Sequence, residues 1–260
     1  PVMLKPRVIP CLLLRGRGLY KTVKFGDPKY VGDPVNAVKI FNEKEVDELL
    51  LLDITATPEK REPNYELICD IAGECFMPLA YGGGVMSIAQ IRRLHRMGVE
   101  KVSLNSSAFH DRRLLEESCD VFGSSSIVAA IDVKKTLFGK YEVWINSGKT
   151  NTKEDPIRYA EQLARLGVGE ILVNSIDRDG TMAGYDNTLL KNITSAVDTP
   201  VIACGGAGTL DHLRDTIACT GVNAVAAGSM FVFHGKHKAV LINYPTPAQL
   251  EILQLSHNTP

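Results

Sequence analysis

Two groups of glycines, each followed by a small polar pair, are the residues of this 260-residue chain whose spacing suggests ligand chemistry. The group in the second half comprises Gly205, Gly206, Gly208, Gly228 and Ser229. The group in the first half comprises Gly82, Gly83, Gly84, Asn105 and Ser106. Glycine allows a ligand to approach the main chain closely, and N–H groups at the start of a short helix donate hydrogen bonds to anions. The pattern predicts two phosphate sites, although glycines that only turn a strand into a loop are the alternative.

An internal repeat relates the two groups to each other. A shift of 122 residues places the segment that starts at Pro78 on the segment that starts at Pro200. A similar shift of 119 residues pairs Leu13 with Asp132. Self-similarity at a fixed spacing indicates one structural unit used twice. Equivalent positions should therefore face each other across a common axis, and a substrate with phosphate at both ends would fit.

Eight short apolar segments must position these residues, and each is followed by a loop and a stretch with helical periodicity. The segments are VIPCLLL, ELLLLDI, LAYGGG, KVSLNSS, SIVAAID, EILVNSID, PVIACGGAG and NAVAAGS. Apolar segments without polar alternation predict parallel strands that are buried on both faces. We therefore predict an α/β fold, a single (β/α)8 TIM barrel domain over residues 1–260, built from two related half-barrels with the site at the C-terminal strand ends.

Two segments do not fit this strand and helix alternation. Residues 140–152 (KYEVWINSGKTNT) predict an extra hairpin arm after the fifth strand. Residues 22–34 (TVKFGDPKYVGDP) are long, polar and glycine-bearing, which predicts a mobile loop over the active face.

Composition excludes several classes of protein. Hydrophobic residues make up 45% and charged residues 23% of the chain, and the formal net charge is -1, so a basic surface for nucleic acid or membrane is not expected. The apolar segments are too short to span a bilayer and the first residues do not form a signal peptide, which predicts a cytoplasmic protein. The six cysteines contain no CxxC pair, which argues against a metal site or a disulfide framework.

Several motifs carry a resemblance to a known family. They are LLDITATPEKR, YGGGV, KVSLNSSA, IDVK, NSGKTNT, GEILVNSIDRDGTMAGYD and CGGAG. Along nearly the whole chain these resemble the cyclase subunit of imidazole glycerol phosphate synthase. The resemblance implies a heterodimer with a glutaminase subunit, whose ammonia cleaves a bis-phosphorylated aminoimidazole carboxamide ribonucleotide and closes an imidazole ring. It implies no cofactor and no metal.

The resemblance also implies two catalytic aspartates, at the ends of strands 1 and 5, as general acid and base. Asp132 occupies the strand 5 position, but Leu13 occupies the strand 1 position. Leucine cannot transfer a proton, and general acid–base catalysis contributes roughly 10²–10⁴-fold, so inefficient cyclase activity is expected. Asp53, Asn174 and Asp179 match other strand-end positions of the family, with Asn174 in place of the usual threonine, and none is an obvious substitute.

Further residues match positions with assigned roles in the family. A ring of alternating charges that guards the ammonia entry at the N-terminal face corresponds to Arg7, Glu48, Lys101 and Glu170. The position that docks on the glutaminase corresponds to Glu100, and the flexible-loop lysine that contacts substrate corresponds to Lys21. Asp179 and Gly180 join the phosphate-binding set. Charges that pair only for solubility are the alternative for the ring.

Three functions remain open at this point. The first is a specialised paralogue that receives ammonia and transfers nitrogen for surface-sugar amidation, as in lipopolysaccharide biosynthesis, with a third, ATP-using enzyme as a further partner. The second is an active cyclase and lyase of histidine biosynthesis that relies on Asp132. The third is a non-catalytic barrel that activates a glutaminase.

Overall fold

The computed structural model describes residues 5–235 and 237–255, so the predicted domain of residues 1–260 extends beyond the described part. The strands are β1 Arg7–Arg15, β2 Gly18–Val23, β3 Gly26–Gly32, β4 Leu49–Asp53, β5 Leu79–Gly82, β6 Lys101–Leu104, β7 Ile127–Lys135, β8 Tyr141–Ile145, β9 Thr150–Asn151, β10 Glu170–Ser175, β11 Val201–Cys204, β12 Ala224–Ala227, β13 Phe233–His234 and β14 Ala239–Val240. The helices are α1 Pro34–Glu43, α2 Tyr65–Glu74, α3 Ile88–Arg96, α4 Ser106–His110, α5 Arg112–Phe122, α6 Pro156–Arg165, α7 Asn187–Thr194, α8 Leu210–Thr220, α9 Ser229–Val232 and α10 Pro247–Leu255.

Within these ranges, eight parallel strands close on themselves in the order β1, β4, β5, β6, β7, β10, β11, β12 and back to β1. Each strand corresponds to one of the eight apolar segments of the sequence. Helices cover the outside of the barrel and side chains fill its inside, which is why these strands lack polar alternation. The predicted (β/α)8 barrel is confirmed.

The two halves of the barrel follow the repeat in the sequence. Strands β1, β4, β5 and β6 form one half, and β7, β10, β11 and β12 form the other. A short helix follows the last strand of each half, α4 after β6 and α9 after β12. Because β1 and β7 are four strands apart in a ring of eight, their C-terminal ends lie on opposite sides of the axis.

The segment after β1 is a β-hairpin, where an irregular loop was expected over residues 22–34. Strand β1 continues into β2 and β3 as an antiparallel extension. The Thr22 hydroxyl donates to the Asp179 carboxylate (2.7 Å), and the Lys24 amide donates to the Asp179 carbonyl oxygen (2.9 Å). These bonds attach the hairpin to the loop after β10. The hairpin arm predicted at residues 140–152 is present as β8 and β9.

Apolar side chains pack in two layers. A small cluster fills the barrel interior, and a larger one fills the space between strands and helices. Two helices start at an aspartate followed by proline: Asp33 caps α1 and Asp155 caps α6 through hydrogen bonds from main-chain N–H groups. Among the helices of the described ranges, none has the length and apolar character that crossing a bilayer requires.

A substitution of Phe41 tests the packing between strands and helices, because the Phe41 side chain on α1 is fully buried there. We expect Phe41→Ala to lower the free energy of unfolding by about 3–5 kcal/mol, since it removes a large buried ring and leaves a cavity. Equilibrium unfolding in urea measures the change. Phe76→Ala is the matched control, because Phe76 is 85% exposed and its loss should cost less than about 0.5 kcal/mol. Equal losses in the two variants would contradict this packing.

Candidate active site

A cavity of about 1180 Å³ opens at the C-terminal ends of the barrel strands. The hairpin after β1, the loop after β4 and the base of the arm surround its mouth. Gly208 does not line it, and its amide donates to His212 Nδ1 (3.1 Å). The lining includes the other predicted catalytic, substrate and phosphate residues, which are Leu13, Lys21, Asp53, Gly82, Gly83, Gly84, Asn105, Ser106, Asp132, Asn174, Asp179, Gly180, Gly205, Gly206, Gly228 and Ser229. The fold therefore brings both halves of the repeat to one site, the location typical of barrel enzymes.

Asp132 lies near the end of β7, between two side-chain amides. Asn105 Nδ2 donates to Asp132 Oδ2 (3.0 Å). Burial raises the pKa of the Asp132 carboxyl to about 7, against hydrogen bonds from Asn105 and Asn174 that lower it, and the charge of Asp179 raises it further. A carboxyl with a pKa near neutrality can both donate and accept protons at physiological pH.

Asn174 contributes a polar atom without a partner. Its side chain is 8% exposed and lines the cavity, and its Oδ1 has no hydrogen-bond donor within the described residues. A buried acceptor without a donor is costly, so such an atom is a candidate for ligand binding. Asp132 and Asn174 are paired in the β7 and β10 register, and both can face the same ligand.

Leu13 faces this polar group from the opposite side of the axis. Its neighbour in the β1 and β4 register is Leu52, and both side chains line the cavity. Together with Ala130 they form the apolar floor, packed on the interior cluster. Of the two positions that the repeat relates, one therefore carries a titratable carboxyl and the other an alkyl group.

Asp53 and Asp179 also line the cavity, but both already bind protein groups. Asp53 Oδ1 accepts hydrogen bonds from the amides of Thr55 and Ala56 (3.0 Å each), and its carboxylate pairs with Arg61 (2.9 Å). Asp179 accepts from the Thr22 hydroxyl and the Phe25 amide (3.3 Å). Burial raises the pKa of Asp179, against these hydrogen bonds. Each carboxylate holds a loop in place, and neither is free to replace an acid at position 13.

Lys21 lies on β2 and is buried at the edge of the cavity. Its Nζ donates to the Cys11 carbonyl oxygen (2.5 Å), and a Cβ on Gly228 would lie 2.2 Å from the same atom. Burial lowers the pKa of the Lys21 ammonium, whereas Cys11, Asp179 and Cys204 raise it. A side chain at position 228 would require this amine to move.

Local packing explains several of the glycines. Gly206 has a φ of +114°, and a Cβ there would lie 2.2 Å from the Gly184 carbonyl oxygen. A Cβ on Gly180 would lie 2.0 Å from the Thr22 carbonyl oxygen. Glycine at these positions is therefore required by the contact of one loop with another, with or without a ligand. A prediction of anion binding therefore rests on the position of both groups around one cavity and not on residue type.

Sequence analysis missed four basic residues that line the cavity. They are Arg15, Lys60, Arg61 and Lys149, of which Arg61 pairs with Asp53. Arg15 follows Leu13 by two residues on β1, so strand alternation could have placed it on the same face. Lys149 lies within the predicted arm, where only the structure brings it to the cavity.

Four charged side chains form a closed ring at the opposite, N-terminal end of the barrel. Arg7 donates to Glu48 and Glu170, and Lys101 Nζ donates to the same two carboxylates at 3.0 and 2.9 Å. Burial opposes the charge on Arg7, but Glu170 and Glu48 outweigh it and raise the pKa of the guanidinium. Glu48 and Glu170 are buried, so this is not a set of exposed ion pairs that serves solubility. Glu100 is exposed beside the ring.

An apolar interior separates the ring from the cavity. Its residues are small or aliphatic, and the buried members are Ile9, Cys11, Leu50, Ala80, Val128, Leu172, Ile202, Cys204, Ala224 and Ala226. Charged groups lie at one end of this interior and the Asp132 group at the other. The barrel axis therefore joins two polar sites through an apolar segment.

The sequence relationships agree with this geometry. The profile of a family described as "Histidine biosynthesis protein" matches residues 7–238. The chain belongs to this family. It is 55% identical over 250 residues to the "Putative imidazole glycerol phosphate synthase subunit hisF2" of Pseudomonas aeruginosa, covering 96% of this chain and 100% of that protein.

Two further relatives carry similar names. The chain is 49% identical over 252 residues to the "Putative imidazole glycerol phosphate synthase subunit HisF" of Leptospira borgpetersenii, covering 96% of this chain and 99% of that protein. It is 49% identical over 248 residues to the "Putative imidazole glycerol phosphate synthase subunit hisF3" of Vibrio vulnificus, covering 95% of both chains. The predicted resemblance is confirmed, and the chain is of the HisF type.

Asp132 should make stability depend on pH. Its pKa rises on folding from the ordinary value of 3.8 to about 7. Between pH 4 and pH 7 the carboxyl is therefore mostly protonated in the folded protein and mostly ionised in the unfolded chain. The favourable contribution of the neutral carboxyl is complete below about pH 4 and is lost as the pH rises through 7. We expect Asp132→Asn to stabilise the protein at pH 8 by on the order of 2–4 kcal/mol and to change little at pH 4.

Unfolding free energies from urea titrations at pH 4, 6 and 8 measure this difference. Asp198→Asn is the control, because Asp198 is an exposed aspartate outside the cavity. A gain for Asp132→Asn that is the same at all three pH values would contradict a carboxyl whose pKa is raised on folding.

Proposed function

We propose that this chain is the cyclase-type subunit of a glutamine amidotransferase complex similar to imidazole glycerol phosphate synthase. It receives ammonia from a glutaminase at the N-terminal face and uses or passes it in the C-terminal cavity, where a phosphorylated substrate binds. The observation that carries this proposal is the buried ring of Arg7, Glu48, Lys101 and Glu170, which lies on the same axis as the cavity.

The ring and the apolar interior support passage of ammonia. Neutral ammonia can cross an apolar segment, whereas ammonium would lose its hydration there at high cost. The alternating charges can exchange hydrogen bonds with an entering molecule, and small displacements of Lys101 would open the ring. Exposed Glu100 gives a glutaminase a point of attachment beside this entry, and the two proteins would form a heterodimer.

Features of the cavity favour a substrate with phosphate at both ends. The loops that follow β5 and β11 are equivalent in the repeat and lie on opposite sides of the axis. Lys21 lies against Gly228 on one side, and Arg15 and Lys149 add positive charge at the mouth. Asp132, Asn105 and Asn174 would then contact the middle of the substrate, with Asn174 Oδ1 able to accept a hydrogen bond from an amine or from ammonia.

Leu13 supports a specialised role within this family. Ring closure and bond cleavage need protons to be delivered and removed, and the position opposite Asp132 can do neither. Asp53 and Asp179 are bound to loops. We therefore propose nitrogen transfer to a different acceptor, such as a surface sugar of lipopolysaccharide biosynthesis with a third enzyme, in the cytoplasm.

One observation favours a second candidate, an active cyclase and lyase of histidine biosynthesis. The pKa of Asp132, about 7, would let one carboxyl act as acid in one step and as base in the next. A barrel that only activates a glutaminase is less well supported, because it would not need a cavity of this size that contains Asp132, Asn105 and Asn174.

Cyclase turnover with added ammonium salt distinguishes these candidates. We expect slow turnover of the bis-phosphorylated ribonucleotide by the purified chain, and an increase of roughly 10²-fold or more in Leu13→Asp, because a second proton-transfer group is restored. External ammonium removes any dependence on the glutaminase. Leu13→Asn is the control, since it adds polarity without a titratable proton and should not increase turnover.

Fast turnover by the unmodified chain, unaffected by Leu13→Asp, would contradict the specialised role. It would support the histidine-pathway cyclase instead. In that case Asp132→Asn should abolish the activity.

Lys101 tests the ammonia route. In a complex with the glutaminase, we expect Lys101→Met to increase several-fold the ammonia that escapes to solvent per glutamine hydrolysed, because the ring no longer closes. Coupled detection of free ammonia measures the escape, and a thermal melt checks folding, since removing one partner of a buried ion network costs about 3–5 kcal/mol.

Lys101→Arg should fold and should lose less ammonia to solvent than Lys101→Met does. Lys39→Met, on the exposed face of α1, is the control. Unchanged escape in Lys101→Met would contradict the route.

A further inference from the structure

The amine of Lys21 lies on the β1 side of the cavity, next to the position that Leu13 occupies. Strands β1 and β2 are antiparallel neighbours, and Leu13 pairs with Tyr20 in their register. Lys21 follows Tyr20, is 5% exposed and lines the cavity together with Leu13. Its Nζ donates to the Cys11 carbonyl oxygen (2.5 Å). The amine is therefore on the side of the cavity that Leu13 leaves without a titratable group, across the axis from Asp132.

The charge of a protonated Lys21 would have little direct compensation. Within the described residues, Lys21 forms no salt bridge. The nearby carboxylate of Asp179 is bound to the Thr22 hydroxyl (2.7 Å) and the Phe25 amide (3.3 Å). Taking an ammonium group out of water without a paired anion is costly. Burial at this place therefore favours the neutral amine.

The surroundings of Lys21 change its acidity in the direction opposite to that of Asp132. Burial lowers the pKa of the Lys21 ammonium from its ordinary value of 10.5, against Cys11, Asp179 and Cys204, which raise it. These three groups face the amine from β1, from the loop after β10 and from β11. Burial raises the pKa of the Asp132 carboxyl to about 7. An amine that loses its proton more easily and a carboxyl that keeps its proton longer can act as base and acid in one step.

The Cys11 thiol locates both groups at the floor of the cavity. Its hydrogen bond with Cys204 has the largest effect on the pKa of Cys11 and lowers it. The charge of Lys21 also lowers this pKa, and the charge of Asp132 raises it. Cys11 belongs to the apolar interior that leads from the charge ring. Ammonia that leaves this interior would therefore arrive near both Lys21 and Asp132.

We infer that Lys21 is the second proton-transfer group of this cavity and acts with Asp132 when ammonia attacks its acceptor, an inference that rests on the proposed function. The acceptor is a carbon that carries a leaving group X. As the C–N bond forms, the neutral Lys21 amine takes one proton from the attacking nitrogen and becomes an ammonium group. As the C–X bond breaks with its electron pair on X, Asp132 in its acid form gives X a proton. Return of one proton from Lys21 to Asp132 restores both groups, and the sum is NH3 plus R–X giving R–NH2 plus HX.

A fixed positive charge for phosphate is the alternative role for Lys21, because the amine lies against Gly228. Arginine separates the two roles. A guanidinium keeps the positive charge but cannot be deprotonated at these pH values. Lys21→Arg should therefore preserve a phosphate contact and remove proton transfer, whereas Lys21→Gln removes both.

Turnover of the bis-phosphorylated ribonucleotide with ammonium salt tests the inference in two backgrounds. In the unmodified chain we expect Lys21→Arg and Lys21→Gln each to lower kcat by about 10²-fold or more, with little change in KM for Lys21→Arg. In Leu13→Asp the same substitutions should lower kcat by less than roughly tenfold, because a carboxyl at position 13 can take over the proton transfer. Lys39→Arg and Lys39→Gln, on the exposed face of α1, are the controls.

NMR of the full chain with 15N-labelled lysine measures the charge of the amine whether or not the ribonucleotide is turned over. The Lys21 Nζ resonance is assigned by its absence in Lys21→Gln and is followed from about pH 6 to about pH 11. We expect it to titrate below the ordinary value of 10.5, both with and without inorganic phosphate.

Three results would overturn the inference and assign Lys21 to phosphate binding. They are a Lys21 resonance that titrates at 10.5 or above, a Lys21→Arg variant that keeps its kcat, and equal losses in the two backgrounds. If no variant turns over the ribonucleotide, the titration alone decides. Fast turnover that Leu13→Asp leaves unchanged would contradict the specialised role, but Lys21→Arg and the titration would still report on Lys21, so the two can fail separately.

Discussion

Closure of eight parallel strands into a barrel is the constraint on which the rest of this structure depends. Alternate residues of each strand must point inward, so β1 places Arg7, Ile9, Cys11 and Leu13 at successive levels along the axis. From the N-terminal end, these levels hold the charged Arg7, the apolar Ile9 and Cys11, and Leu13 at the cavity. A single strand of nine residues thus links the ion ring to the cavity, roughly 20 Å away.

The same closure explains why the site is asymmetric. The repeat places positions 13 and 132 opposite each other, and the polar residues gather on one side, where Asn105 and Asn174 surround Asp132. Leu13 and Leu52 leave the other side apolar. Because the apolar floor removes water from the carboxyl without providing a second charge, burial dominates the pKa of Asp132. Leu13, which carries no titratable group, therefore belongs to the environment that raises the pKa of Asp132.

Sequence analysis predicted the barrel because its strongest signals are local and repeated. Eight uninterrupted apolar segments and the internal repeat determine strand number, strand direction and which positions face each other. The hairpin of β2 and β3 was not predicted, because a polar, glycine-bearing segment resembles a loop until Thr22 and Lys24 find Asp179, more than 150 residues away. For the same reason, sequence could place Lys21 and Asp53 at the site but could not predict that one is buried and the other is bound to Arg61.

The ion ring at the N-terminal end of the barrel is buried, and its contribution to stability does not account for it. Removing charges from water is costly, and apolar residues of similar size often stabilise a protein more than a buried ion pair does. A four-membered ring with carboxylates 3% and 8% exposed is therefore a poor explanation for stability alone. The proposed entry of ammonia would account for polar groups at the base of an apolar interior. The leucine at position 13 lies at the cavity end of this interior, so it leaves the charged ring at the other end unchanged.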